Sequence, residues 1–354
     1  MRPAAAPAPG RPWQRLAAQP MILFVALFAA FPLVAPYDAL ATQVLIFGLF
    51  ALSFNLLYSH VGLFSLGQAA FYGLGAYGTG LALPSAYGLG AAIARFKVDS
   101  LWVGLAAGIA AAGIGALLIG ALCLRRRGIY FSMLTLAFAQ VLYFTALQAS
   151  PLTGGHSGLR GIPAYSLSLG GLELPLDRPV AFYYFTLALV ALAVVAMRRL
   201  LGSPFGAVLR AIHDNEARAA ACGHDVRRLK LLAFVWAGLF AGLAGSLSAL
   251  HLRLVSINVF DWPTSAEVVV MTLLGGAGSF FGPFVGAAAY LVLQEEVSRA
   301  TEYWSIVIGF IVVLCVRFFP AGICGWLLPR LAAAGRRLAA RRPRGGTILE
   351  GVER

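Results

Sequence analysis

The sequence predicts an all-α fold, a polytopic transmembrane helical bundle of about ten spans that include short or broken helices. Three observations predict it. Hydrophobic residues make up 60 % of the 354-residue chain and charged residues only 12 %, about half the charged share of a soluble domain. So little polar surface cannot coat a water-facing globule of this size. The apolar runs are long and continuous and do not alternate, which favours helices over a membrane barrel. The basic residues behind the net charge of +13 sit between those runs and at the two tails. That placement orients a membrane protein and argues against a nucleic-acid partner.

Taken in order, residues 1–19 read as a disordered basic leader rich in Ala, Pro and Arg. An apolar run follows from Met21. No small-residue cleavage site comes after it, and Pro32 and Pro36 end it, so it reads as a retained first span and not a signal peptide. The apolar segments lie at about 20–36, 40–59, 62–83, 101–124, 128–149, 179–197, 231–252, 264–275, 281–297 and 303–320. Together they place a membrane domain over 20–325, followed by a basic tail over 326–354.

The loops test this topology. Arg2, Arg11 and Arg15, then Arg125 to Arg127, then the stretch 198–230, then Arg336, Arg337, Arg341, Arg342 and Arg344 all fall on one side if ten spans are counted. Both termini are then cytoplasmic. Arg95 and Lys97 are a mild exception on the outside. The outside loop 151–178 is punctuated by Gly and Pro and alternates around Tyr165 to Leu174, the pattern of a small hairpin or cap. The inside stretch 203–230 is helical in pattern from Ser203-Pro204 and is broken at Gly223 before a second, basic turn.

Segments 264–275 and 281–297 are the shortest spans. Between them run Gly275, Gly276, Gly278 and Gly282, a helix break tolerated at membrane depth only where protein or a cavity surrounds it. Gly104/Gly108, Gly238/Gly242 and Gly282/Gly286 are GxxxG pairs, which let helix backbones approach closely. Ser65 and Gln68 interrupt an apolar, glycine-rich stretch. Such groups must face protein or a wet path, as must Asn55, Ser132, Thr135 and Gln140, and these six are the candidates for a translocation pathway. Ser65-Leu66-Gly67 has a short echo in Ser279-Phe280-Phe281-Gly282, too brief to establish a repeat.

Several chemistries are excluded or unsupported. A P-loop cannot form, because neither Lys97 nor Lys230 follows a Gly or precedes a Ser or Thr. The chain therefore carries no ATPase motif of its own. The five histidines and four cysteines show no metal-ligand spacing. Glu267 and Arg317 sit near span ends, where snorkelling accounts for them. An ion-coupled carrier would want a mid-membrane carboxylate or His.

The sharpest local signal is His213-Asp214-Asn215-Glu216-Ala217-Arg218-Ala219-Ala220-Ala221-Cys222-Gly223. A short inside helix with acidic residues near its start and small residues along it suits docking into a partner groove. Arg210, Asn215-Glu216, Ala219, Gly223, Lys230, Ala233-Phe234 and Ala241 to Gly245 together resemble the LivM/LivH-type permeases of branched-chain amino acid ABC importers. Ser65 to Phe71, Gly128 to Phe131 with Thr135 to Ala137, and Leu152 to Leu159 resemble the LivM side. So does the run from Gly275 to Gly286. The usual family form has Asn or Asp-Gly where this chain has Gly155-His156-Ser157.

The resemblance, over about residues 40–325, implies a non-enzymatic permease subunit in a bacterial inner membrane. Its implied partners are a second, LivH-like permease, two ATPase subunits that hold ATP and Mg, and a periplasmic binding protein. Arg210, Asp214, Asn215, Glu216, Ala219 and Gly223 would then form the coupling to the ATPase. The alternatives are a urea or short-amide permease of the same architecture, or a stand-alone channel or carrier.

Overall fold

Apolar runs this long have one way to satisfy their backbone in lipid, and the chain takes it. A computed structural model describes residues 28, 38–83, 100–163, 166–169, 172–175, 177–318 and 322–325. The expected leader, the first span apart from Phe28, Arg95 with Lys97, and the expected tail lie outside the described residues. The principal helices are α1 (Asp38–Val61), α2 (Gln68–Ala82), α3 (Leu101–Cys123), α4 (Ile129–Gln148), α5 (Pro179–Gly202), α6 (Pro204–Asp214), α7 (Glu216–Ala221), α8 (Val226–Leu252), α9 (Trp262–Gly275), α10 (Gly282–Ala300) and α11 (Trp304–Phe318).

Among the described residues, five helices are long and apolar enough to cross a membrane: α1 from Ala39, α3, α4, α5 and α8. The other six are shorter or more polar. The sequence marked α9 as short, and it has 14 residues, about 21 Å of rise against a hydrocarbon core of about 30 Å. Helices α2 and α11 are also short, with 15 residues each. The expected span 62–83 is corrected in one respect. Residues 62–67 are irregular and α2 begins only at Gln68, so Ser65 lies ahead of the helix rather than on it. Gly62 adopts φ +76° there, a left-handed turn that glycine tolerates.

Helix α1 is the centre of the bundle. It touches α5, α6, α8, α9 and α10 and is buried almost all round, which is why it is apolar on every face. Helices α2, α3 and α8 form a tight group beside it. Their contact surface is built from small residues, because lipid offers no hydrophobic drive to bring helices together. A methyl group at Gly75 would overlap the Gly242 carbonyl, and one at Gly108 would overlap Thr79 and Ser246. The three GxxxG pairs are all helix contacts. Gly104 meets Leu83, Gly238 and Gly242 meet Ala116 and Ala112, and Gly282 and Gly286 meet the backbone of α9. Helix α4 lies at the periphery, with Ile129, Tyr130, Met133, Val141 and Phe144 exposed.

The two ends of the bundle differ. At the basic end the 124–128 linker, the 203–225 stretch and Gly62 meet. Arg127 pairs with Glu216 at 3.4 Å, and a methyl at Gly62 would lie 2.9 Å from the His213 ring. At the opposite end Asp177 pairs with Arg253, and the His251 ring stacks on Phe182 at 5.5 Å. Strand β1 (Leu159–Arg160) pairs antiparallel with β4 (Leu254–Val255) at that end. Between them in sequence, β2 (Ser166–Leu169) and β3 (Leu172–Pro175) form the expected hairpin, with Leu169 opposite Leu172.

Candidate functional site

Two regions hold the residues singled out above. The first is the loop at the basic end. Pro204 opens α6, where a missing N–H costs nothing. Its apolar face, Leu209 and Ile212, is buried against the bundle. Arg210 donates from Nη1 to the Leu201 carbonyl at 3.1 Å, closing the C-terminal end of α5. The expectation of one helix up to Gly223 is corrected. Asn215 is extended, φ −159°, and its Oδ1 accepts from the Arg218 N–H at 2.9 Å. A side chain that caps the next helix ends the previous one. The acidic residues therefore divide, with Asp214 closing α6 and Glu216 opening α7.

Glu216 does not face open solvent. Its carboxylate accepts from Lys230 Nζ at 2.8 Å and lies 3.4 Å from Arg127. It thus ties α7 to the start of α8 and to the 124–128 linker. Ala219 is 4 % exposed and packs inward. Gly223 has φ +85° and leads to Asp225, whose Oδ1 accepts from Arg228 N–H at 3.1 Å to cap α8. The loop presents Asp214, Asn215, Ala217, Arg218 and Ala220 outward, along with His213 and His224. Ala219 is buried and Glu216 half-buried, while Arg210 is exposed and reaches back to α5.

The second region is a set of buried polar groups around the start of α2. Ser65 and Gln68 are 1 % and 0 % exposed. Ser132 Oγ donates to the Phe64 carbonyl, and Thr135 Oγ1 donates to the Ser132 carbonyl at 2.9 Å. The Ala69 N–H donates to Ser265 Oγ at 3.0 Å. Helices α4 and α9 thus bracket the irregular 62–67 segment. Gln68 has no hydrogen-bond partner for either amide atom among the described residues. Asn55 reaches the other irregular stretch, donating from Nδ2 to the Ser279 carbonyl at 3.4 Å. Gln140 lies apart from both, donating to Asp261 Oδ1 at 3.4 Å. The break itself is glycine-built. Gly276 has φ +102°, a methyl at Gly275 would overlap Gly282, and Gly278 has open space around it.

Sequence reasoning passed over a third feature. In the half of the bundle away from the basic end, a cavity of about 240 Å³ opens between α1, α8 and the 256–267 segment. Glu267 lines it and hydrogen-bonds to Tyr290. It is the only charged residue between 264 and 292, and that isolation was the available signal. Tyr72 and Ser248, which hydrogen-bond to each other, also line the cavity.

A sequence comparison decides what this architecture is. The family described as "Branched-chain amino acid transport system / permease component" matches residues 37–316. The chain belongs to that family. It is 32 % identical over 314 residues to the high-affinity branched-chain amino acid transport system permease protein LivM of Escherichia coli K12, covering 82 % of this chain and 71 % of that protein. A probable LivM of Methanocaldococcus jannaschii is 26 % identical over 168 residues, 47 % of each chain. The autoinducer 2 import system permease LsrC of Yersinia enterocolitica is 30 % identical over 178 residues, 48 % of this chain and 47 % of that one. No solved structure matches. The chain is an integral membrane permease of the ABC-importer type.

Proposed function

We propose that this permease moves branched-chain amino acids inward across a bacterial inner membrane, driven by ATP hydrolysis on partner subunits. Its basic end and both termini face the cytoplasm. A second, LivH-like permease completes the pathway, and a periplasmic protein delivers the cargo at the β1–β4 end. Two ATPases, which hold the ATP and Mg, sit below α6 and α7. The observation that carries the coupling role is the loop 203–225. It presents Asp214, Asn215 and Arg218 outward while Glu216, Lys230 and Arg127 lock it to two other elements. Such a loop passes a push from below into α8 and the 124–128 linker rather than absorbing it. ATP binding then rocks the permeases between inward and outward openings by favouring one of two packings.

The test is reconstitution with and without the ATPases and second permease, scoring binding-protein-dependent uptake of labelled leucine. Uptake in the full set only is the expected result. A Lys230→Met variant, which leaves Glu216 only its longer contact with Arg127, is expected to keep ATP hydrolysis and lose most of the uptake. Uptake by this chain alone would overturn the reading in favour of a carrier. An assembled, hydrolysing importer that ignores leucine, isoleucine and valine would move the cargo to urea or another small solute.

A further inference from the structure

We infer that the cavity beside Glu267 is a binding site for the cargo, built for a zwitterion with an aliphatic side chain. This rests on the reading that the chain is an amino acid permease and names the residues that take the substrate. Glu267 is half-buried inside a membrane-embedded helix and forms no ion pair among the described residues. A carboxylate in that setting is costly unless it takes up a proton or a cation joins it. Tyr290 supplies one hydrogen bond, which orients the carboxylate but leaves its charge unmatched. An ammonium group meets the need.

The rest of the wall fits the remainder of such a solute. Ile46 and Phe47 of α1 give an apolar side. The Tyr72 ring is held there by stacking on Phe50 at 4.5 Å. Gln43 and Asn258 line the same cavity, and their side-chain amides make no hydrogen bond among the described residues. They offer N–H donors for a carboxylate, and the His251 ring lines the same cavity. A volume of about 240 Å³ is below the usual range for drug-sized ligands and suits a small solute. One cavity thus offers an anion, an apolar wall and amide donors. A purely anionic or purely apolar solute would leave Glu267 unmatched.

The test uses the complete importer in proteoliposomes, with labelled leucine and two competitors. Isoamylamine lacks the carboxylate and 4-methylpentanoate lacks the ammonium. Glu267→Gln keeps the shape and removes the charge, and is expected to lower leucine uptake by about tenfold, the scale of a lost hydrogen bond to a charged group. Asn258→Asp, at an exposed rim position, places a negative charge against the substrate carboxylate and is expected to lower uptake as well. Isoamylamine is expected to compete and 4-methylpentanoate to be inert. If Glu267→Gln fails to assemble, Asn258→Asp and the competitors carry the test alone. Unchanged uptake in the assembled variants, or competition by 4-methylpentanoate equal to that of isoamylamine, would overturn the site while leaving the importer reading intact. A wild-type importer that moves no branched-chain amino acid would overturn the importer reading itself.

Discussion

Irregular backbone enters the apolar bundle at 62–67, ahead of α2, and at 276–281, between α9 and α10, and the two stretches are held by different means. The first is braced chiefly by side chains from other helices, with Gly67 also packed on the Thr135 carbonyl. Ser132 takes the Phe64 carbonyl and Ser265 takes the Ala69 N–H. The second is braced by contact of backbone on backbone. A methyl at Gly286 would overlap the Met271 carbonyl, and Gly322 rests against Gly276. Asn55 adds one long hydrogen bond to Ser279. Both solutions meet the same demand, since free backbone groups at membrane depth must be paired or enclosed. Hydroxyl bracing leaves a segment that side-chain rotation can release. Glycine packing leaves one that moves only with both of its helices.

That contrast can be broken most severely at Gly286. Gly286→Leu drives a side chain into the α9 backbone and is expected to cost about 3 kcal/mol or prevent folding. Gly278→Ala, in open space, is expected to cost less than about 0.5 kcal/mol. Thermal midpoints of the purified chain in detergent check the pair, and equal losses would refute glycine packing as the brace. Next is Ser265→Ala, which strands the buried Ala69 N–H and is expected to cost about 1–2 kcal/mol. The same assay reads it, and amide hydrogen exchange should rise at Ala69 ahead of the rest of α2. Asn55→Ala removes only a 3.4 Å bond and is expected to cost under about 1 kcal/mol.

A modest effect of opposite sign sharpens the comparison most. Gln68→Met removes two buried amide atoms that have no partner among the described residues and is expected to raise stability by a few tenths to about 1 kcal/mol. If Gln68 lines the pathway, leucine uptake by the assembled importer falls even as the midpoint rises. Unchanged uptake would make it a packing residue.

Much of this was legible in the chain. The apolar runs predicted the helices because a continuous apolar stretch in lipid has no other regular structure open to it. Pro and Gly marked the hairpin at 166–175 and the break after α9. The start of α2 was not legible. Residues 62–67 are as apolar and glycine-rich as a helix, and the side chains that help to pair this stretch and the start of α2, Ser132 and Ser265, are distant in sequence. The division of 203–223 at Asn215 carried a signal, since Asn is a strong cap, but helical periodicity masked it.

Composition, apolar length and the placement of Arg decided by themselves that this is a helical membrane protein with one basic face, because transfer from water to lipid depends on local sequence alone. The tertiary structure decided which polar residues meet. Glu216 turning inward to Lys230, Ser265 reaching Ala69, and Glu267 sharing a cavity with Gln43 and Asn258 are contacts across long sequence separations. They are set by how closely small residues let the helices approach, and no local pattern records that distance.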